Sequence, residues 1–140
     1  MIDRKLVYVE PSNLHEYWPL VKIGIEKVRE HSADTWLPED VYAAIKGGNS
    51  SLFIGLDGGY EGFIVLSSIP SFDGPVCFIW ALYGTGLTED LLGKYWGEVK
   101  QIARDMGARR IEFTSPRPAW ARSGIRLGFK PVEVKYRTEV

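Results

Sequence analysis

Val76-Cys77-Phe78-Ile79-Trp80-Ala81-Leu82-Tyr83 is an almost unbroken apolar and aromatic run, closed on one side by Pro75 and on the other by Gly84. A strand with one face in water would carry a polar residue at every second position, and this run carries none. It therefore predicts a central strand covered on both faces, and hence a sheet with a helical layer on each side. The residues that follow supply one layer. Gly84-Thr85-Gly86 interrupts the strand, and Leu91, Leu92, Tyr95, Trp96, Val99, Ile102, Ala103 and Met106 then recur at helical spacing until Gly107 ends the pattern.

Other elements are placed by the same reasoning. Leu6 to Val9 reads as a strand that stops at Pro11, because proline has no N–H to give to a ladder. Ser12 or Asn13 caps a first helix, with Glu16 at capping-box spacing and Leu14, Trp18, Val21, Ile25 and Val28 forming its apolar stripe as far as about Glu30. Pro19 lies beyond the first turn, where it costs about 3 kcal/mol, and predicts a kink or a start near Trp18. Pro38, Glu39 and Asp40 open a short second helix that Gly47-Gly48 ends. Ser51 to Leu56 and Tyr60 to Ser68 form a hairpin across Asp57-Gly58-Gly59. Beyond the long helix, Arg109 to Thr114 returns to strand, Ala119 to Leu127 forms a short helix, and Pro131 to Val140 alternates as a last strand.

Hairpin neighbours pair antiparallel and helix crossovers favour parallel pairing. The expectation is one α/β (α+β) domain over residues 1–140, with a mixed sheet of about six strands flanked by about four helices. A crevice at the carboxyl end of Val76 to Tyr83 is the natural ligand position.

Composition narrows the function classes. With 140 residues, 45% of them hydrophobic, the chain suits a single core. Its net charge of −1 gives no field that would favour nucleic acid or an anionic membrane. No apolar run approaches the ~18 residues a membrane span needs, and the first residues resemble neither signal peptide nor anchor. Cys77 is the sole cysteine, which excludes an internal disulfide and a cysteine zinc cluster and points to a reducing, cytoplasmic setting with no metal.

The step Gly107-Ala108-Arg109-Arg110-Ile111, the terminal Leu127-Gly128-Phe129-Lys130-Pro131 and the order of elements across nearly the whole chain resemble the GNAT acyltransferase superfamily. The resemblance implies an acyl-CoA N-acyltransferase fold whose fourth and fifth strands part to receive the pantetheine arm of acetyl-CoA. The carried-over cofactor residues are Trp80, Ala81, Leu82, Tyr83, Gly84, Thr85 and Gly86, the last three offering amides to the pyrophosphate. The phosphate motif of the family is degenerate here: Thr88 stands at its Arg or Gln, Leu91 at its first glycine and Gly93 at its second. Glu89 and Asp90 bring negative charge to the same place. The family's proton-donating tyrosine falls on Gly124, so Tyr83 and Ser123 are the candidate acids for the departing thiolate.

A narrower likeness, carried by Trp36-Leu37-Pro38-Glu39-Asp40-Val41-Tyr42, Ile79-Trp80-Ala81-Leu82-Tyr83-Gly84 and Pro118-Ala119-Trp120-Ala121-Arg122, is to small GNAT-like proteins of phages and prophages. Two functions follow from these resemblances. One is transfer of an acetyl group from acetyl-CoA to a small-molecule or protein amine, with water or Glu61 taking the proton. The other is a non-catalytic phage structural or interaction module, partnered by virion or host protein, that keeps the fold and has lost the cofactor loop.

Several other residues have two readings. Cys77 is a nucleophile or a small core hydrophobe, and the apolar run around it favours packing. Asp34, Glu39 and Asp40 line an amine-binding mouth or serve the helix start. His15 and His31 lack a metal-site pattern and suit the surface. Trp120, beside Arg117 and Arg122, and the guanidinium groups of Arg109, Arg110 and Arg126 suit a phosphate, an acidic partner or a solvated face.

Overall fold

The computed structural model describes residues 4–86, 90–117, 120 and 124–140. Strands β1 (Arg4–Val9), β2 (Ser50–Asp57), β3 (Tyr60–Ile69), β4 (Val76–Gly84) and β5 (Arg110–Glu112) form one sheet in that spatial order. The first three pairings are antiparallel and the β4–β5 pairing is parallel. Short connections join β2 to β3 and β3 to β4, the helices Leu14–Arg29 and Pro38–Lys46 lie between β1 and β2, and the helices Leu91–Lys94 and Trp96–Asp105 form the crossover between the parallel strands β4 and β5.

Helices α1 (Leu14–Arg29) and α2 (Pro38–Lys46) cover one face, while α3 (Leu91–Lys94) and α4 (Trp96–Asp105) cover the other. Strand alternation sorts the core between them. Leu52, Ile54, Phe63, Val65 and Ala81 meet Val21, Ile25, Val41 and Ile45 on the first face. On the second, Phe53, Ile64, Leu66, Cys77 and Ile79 meet Leu91, Leu92, Tyr95, Val99 and Ala103. The apolar β4 run is thus explained by cover on both sides.

Pro19 lies inside α1 without ending it. The lost hydrogen bond is outweighed by the burial of Leu14, Val21 and Ile25 along a stripe that runs past it. Asn13 makes no side-chain cap, because a 3-10 turn over Pro11–Asn13 leads the chain into the helix. The single helix expected up to Met106 is broken at Tyr95, whose side chain turns fully into the core.

Residues 131–140 form no strand, and all are exposed. Alternation alone does not make a strand: the segment runs instead to the α1–α2 connection, where Arg137 donates to the Ala33 carbonyl at 3.0 Å. Ile111 and Cys77 mark the middle of a β4–β5 pairing only three residues long. The expected helix over Ala119–Leu127 is seen as a 3-10 turn over Gly124–Leu127; residues 118–119 and 121–123 lie outside the described residues.

Gly24 of α1 allows the helix to rest on the sheet. A Cβ there would lie 2.5 Å from Phe63 Cε2 and 2.6 Å from Tyr83 Cδ2. Both rings are themselves stacked, with centroids 5.7 Å apart, so neither has room to yield. We predict that Gly24→Ala lowers stability by about 1–3 kcal/mol in denaturant unfolding, through overpacking; an unchanged midpoint would show that α1 does not rest on this contact.

Candidate functional site

The sheet opens between its last two strands. β5 pairs with β4 only at Val76, Cys77 and Phe78, whereas β4 continues to Gly84 with β3 on its other side. From Ile79 onward the outer edge of β4 has no strand partner among the described residues. Backbone N–H and C=O groups there are left for water or a ligand to satisfy.

Two irregularities shape this opening. Val65 faces Ala81 and Leu66 faces Ile79, so Trp80 is an extra residue in β4. Such a bulge turns consecutive side chains to one face. Trp80 and Ala81 both point toward α1 and α2, where Trp80 meets Trp36 edge-on at 5.8 Å. Near the far end, Gly55 faces Gly62 and Leu56 faces Tyr60, which makes Glu61 the extra residue in β3. Gly62 is required beside it, because its φ is 148° and a Cβ would sit 2.0 Å from the Tyr83 carbonyl oxygen.

The second bulge aims Glu61 at α3. Glu61 is 5% exposed, and its carboxylate accepts from Lys94 Nζ at 2.8 Å and from the Tyr95 hydroxyl at 2.8 Å. Lys94 also donates to Asp57 at 2.6 Å, and the hydrogen bonds to Asp57 and Glu61 push its ammonium up from its ordinary value. The Leu56 carbonyl oxygen lies 3.2 Å from the Tyr95 hydroxyl. This network accounts for the helix break at Tyr95: the ring must leave the helical path to reach the β2–β3 end. It also ties both oxygens of Glu61 to Lys94, an arrangement suited to holding α3 rather than to accepting a substrate proton.

On the other face, Tyr83 lies against Gly24 and stacks with Phe63. Tyr60 is its neighbour. Burial, and secondarily the nearby Tyr83, push the Tyr60 phenol up to about 12. The Tyr60 hydroxyl and Thr85 Oγ1 are buried without a hydrogen-bond partner among the described residues. Groups of this kind normally have a partner. Thr85 N–H donates to the Glu61 carbonyl at 2.8 Å, so of the turn Gly84–Gly86 its amide is already engaged.

The helix start carries its own anion. Asp90 Oδ1 accepts from the Gly93 amide at 2.8 Å, and a Cβ on Gly93 would collide with that carboxylate at 2.2 Å. Leu91 is a buried core residue. Gly124 is buried too, with Phe129 Cβ 3.1 Å from the place a Cβ would occupy. Thr88, Glu89, Arg122 and Ser123 lie outside the described residues.

The remaining candidates have structural partners or lie on the surface. Asp40 accepts the Leu37 amide at 2.7 Å and so caps α2. Asp34 stands 3.8 Å from Lys135 and 3.9 Å from Arg137. Cys77 is fully buried, and burial pushes its thiol up to about 11, away from nucleophilic use. Trp120 packs edge-on against Phe113 at 4.8 Å. His15 and His31 are exposed, and no group of three metal-binding side chains occurs among the described residues. No helix there is long and apolar enough to cross a membrane.

Tyr60, Lys94 and Tyr95 were not legible as site residues. Tyr60 and Tyr95 pass for members of apolar patterns, and the only sequence signal was a lone carboxylate, Glu61, at the head of an apolar strand.

No protein-family model matches this sequence, and no curated protein matches it either. Its fold is shared with solved acetyltransferases. An aminoglycoside acetyltransferase from an uncultured soil metagenomic sample aligns with a TM-score of 0.69 at 15% identity, over 98% of this chain and 97% of that one. A ribosomal-protein-alanine N-acetyltransferase from Brucella melitensis gives 0.68 at 10% identity, over 98% of each chain. A Trypanosoma brucei acetyltransferase gives 0.66 at 17% identity, over 99% of this chain and all of the other. The mixed sheet with helices on both faces is therefore the GNAT acyltransferase fold expected from the sequence.

Two measurements check this geometry. Tyr95→Phe removes a donor from a buried carboxylate and should cost about 1–3 kcal/mol in unfolding free energy; a neutral result would contradict the network. In alkaline titration followed by ultraviolet absorbance, one of the seven tyrosines should ionise near pH 12, and that transition should vanish in Tyr60→Phe. The folded phenol lies above its ordinary value of 10.0, so its contribution to stability is intact below pH 10 and is lost as pH rises toward 12.

Proposed function

We propose that the protein is an acyl-CoA-dependent N-acyltransferase in which the acyl-CoA arm lies against the open edge of β4, from Ile79 to Gly84. The observation that carries this reading is the early end of β4–β5 pairing, in a fold whose solved relatives include acetyltransferases. A pantetheine arm is an extended chain with two amides. It is suited to a strand edge that offers backbone donors and acceptors and is flanked by the bulge at Trp80.

In this reading Trp80, Ala81, Leu82 and Tyr83 line the arm. Gly84, Thr85 and Gly86 lead to the phosphates, and Thr85 Oγ1 supplies a buried hydroxyl in need of a partner. Asp90 occupies the start of α3, so the phosphates rest on the turn side of it rather than on the Gly93 amide. When bound, acetyl-CoA supplies a thioester whose C–S bond breaks as a C–N bond forms to the acceptor amine. The amine proton passes to water, because Glu61 is held by Lys94 and Tyr95. Tyr83 gives a proton to the departing sulfur, with Tyr60 beside it still protonated at neutral pH. The acceptor is a small-molecule or protein amine, and the reaction belongs to the cytoplasm.

A second reading, a non-catalytic module of phage or prophage type acting in a virion or on a host protein, is favoured by two features. Asp90 caps the helix start where phosphate would otherwise sit, and Gly124, tightly packed against Phe129, stands at the place of the family's tyrosine. Thermal melting separates the two. Acetyl-CoA at a hundred times its dissociation constant should stabilise the chain by about 2.7 kcal/mol, and no shift at millimolar ligand would remove the enzyme reading. Asp90→Asn, which keeps an acceptor for Gly93 and removes the charge, should tighten binding. Tyr83→Phe should retain binding and lose about a hundredfold or more of turnover; full turnover would take the acid role from Tyr83.

A further inference from the structure

We infer that the cleft between α4 and β5 docks an acidic peptide segment of a partner protein, one that carries an apolar residue between carboxylates. The cleft measures about 300 Å³ and lies at the end of β5 that pairs with Val76, away from the opening beyond Ile79. Its floor is Trp96, Ile111 and Phe129, each half-buried, so apolar surface there still meets water. The Trp96 and Phe129 rings pack with centroids 5.2 Å apart and give that floor a fixed shape. A side chain that covered it would gain in proportion to the apolar area removed from water.

The rim is cationic. Trp96, Lys100 and Arg104 follow one another at four-residue steps of α4 and so share one face, and Arg109 stands just before β5. Lys100 Nζ lies 5.9 Å from the centre of the Trp96 ring. Lys100, Arg104 and Arg109 are all exposed, and none forms an ion pair among the described residues. Arg110 beside them differs, because Asp73 and Glu112 already neutralise it. Three unopposed cations around one cleft, on a chain whose net charge is −1, complement a local run of carboxylates.

The same features choose a peptide over other anions. Exposed ion pairs are individually weak, so binding here needs several of them together with cover for the floor. A peptide supplies both, an apolar anchor and flanking carboxylates on one chain. Its backbone also meets β5, which pairs with β4 alone among the described residues. Nucleic acid needs a continuous cationic track, and the carboxylates of Asp73 and Glu112 interrupt it. The chain's own residues 131–140 leave the cleft open by passing to the α1–α2 connection, where Arg137 reaches the Ala33 carbonyl.

Fluorescence anisotropy tests the proposal on the full chain, with a fluorescein-labelled peptide in which one leucine is flanked on both sides by glutamates. The expected result is saturable binding that weakens as salt rises from about 0.05 M to about 0.5 M. Lys100→Gln combined with Arg104→Gln should weaken it about fivefold or more, and so should serine in place of the peptide's leucine. Both cations are exposed, so the melting temperature of the double variant should match the wild type. Lys22→Gln, an exposed charge on α1 outside the cleft, should leave binding unchanged. Absence of saturation at millimolar peptide overturns the proposal. So does equal binding of a peptide with glutamines for glutamates, wild-type affinity in the double variant, or an equal loss in Lys22→Gln. Displacement of the peptide by an equal concentration of inorganic phosphate would assign the cleft to a small anion and overturn it as well.

Discussion

Everything in this fold hangs on β4, which has to be covered on both faces and yet loses its neighbour halfway along. Its first residues hold β5 through Cys77 and Ile111, and its last reach Gly84 with only β3 beside them among the described residues. The two helical layers keep the sheet together across that gap. α1 comes close enough to press Tyr83 and Phe63 because Gly24 has no side chain. On the opposite face, the buried Glu61–Lys94–Tyr95 network clamps α3 to the β2–β3 end. An opening between two strands is costly in unpaired backbone; here α1 and α3 are held to the sheet by interactions that do not depend on a ligand.

The network has a chemical consequence as well. A carboxylate with an ammonium on both oxygens is a structural anchor, and the bulge that aims Glu61 toward α3 removes it from the list of groups able to take a proton from an amine. Tyr60 and Thr85 carry buried hydroxyls without partners among the described residues, where groups of this kind normally have one.

Most of the architecture could be read from the sequence because its signals are local. The apolar β4 run, the Gly58 hairpin and the α1 stripe each announce themselves within a few residues, and their bounds fall within one or two positions of the structure. What could not be read depends on partners distant in sequence. The bulges at Glu61 and Trp80 are relations between strands, and no periodicity of β3 or β4 alone reveals them. Tyr95 fits the helical stripe perfectly well until Glu61 is placed opposite it. Residues 131–140 have a strand's pattern but run to the α1–α2 connection, where Arg137 donates to the Ala33 carbonyl, so the pattern was legible and its failure to pair was not.

The central claim is that the open edge of β4 is a binding surface and not merely a frayed strand. Amide hydrogen exchange with and without acetyl-CoA tests it at the residues concerned. The account predicts slowed exchange at Ile79 to Gly84 on addition of the ligand, with Val76 to Phe78, already paired to β5, unchanged. Unaltered exchange across Ile79 to Gly84, or protection confined to another part of the chain, would contradict it.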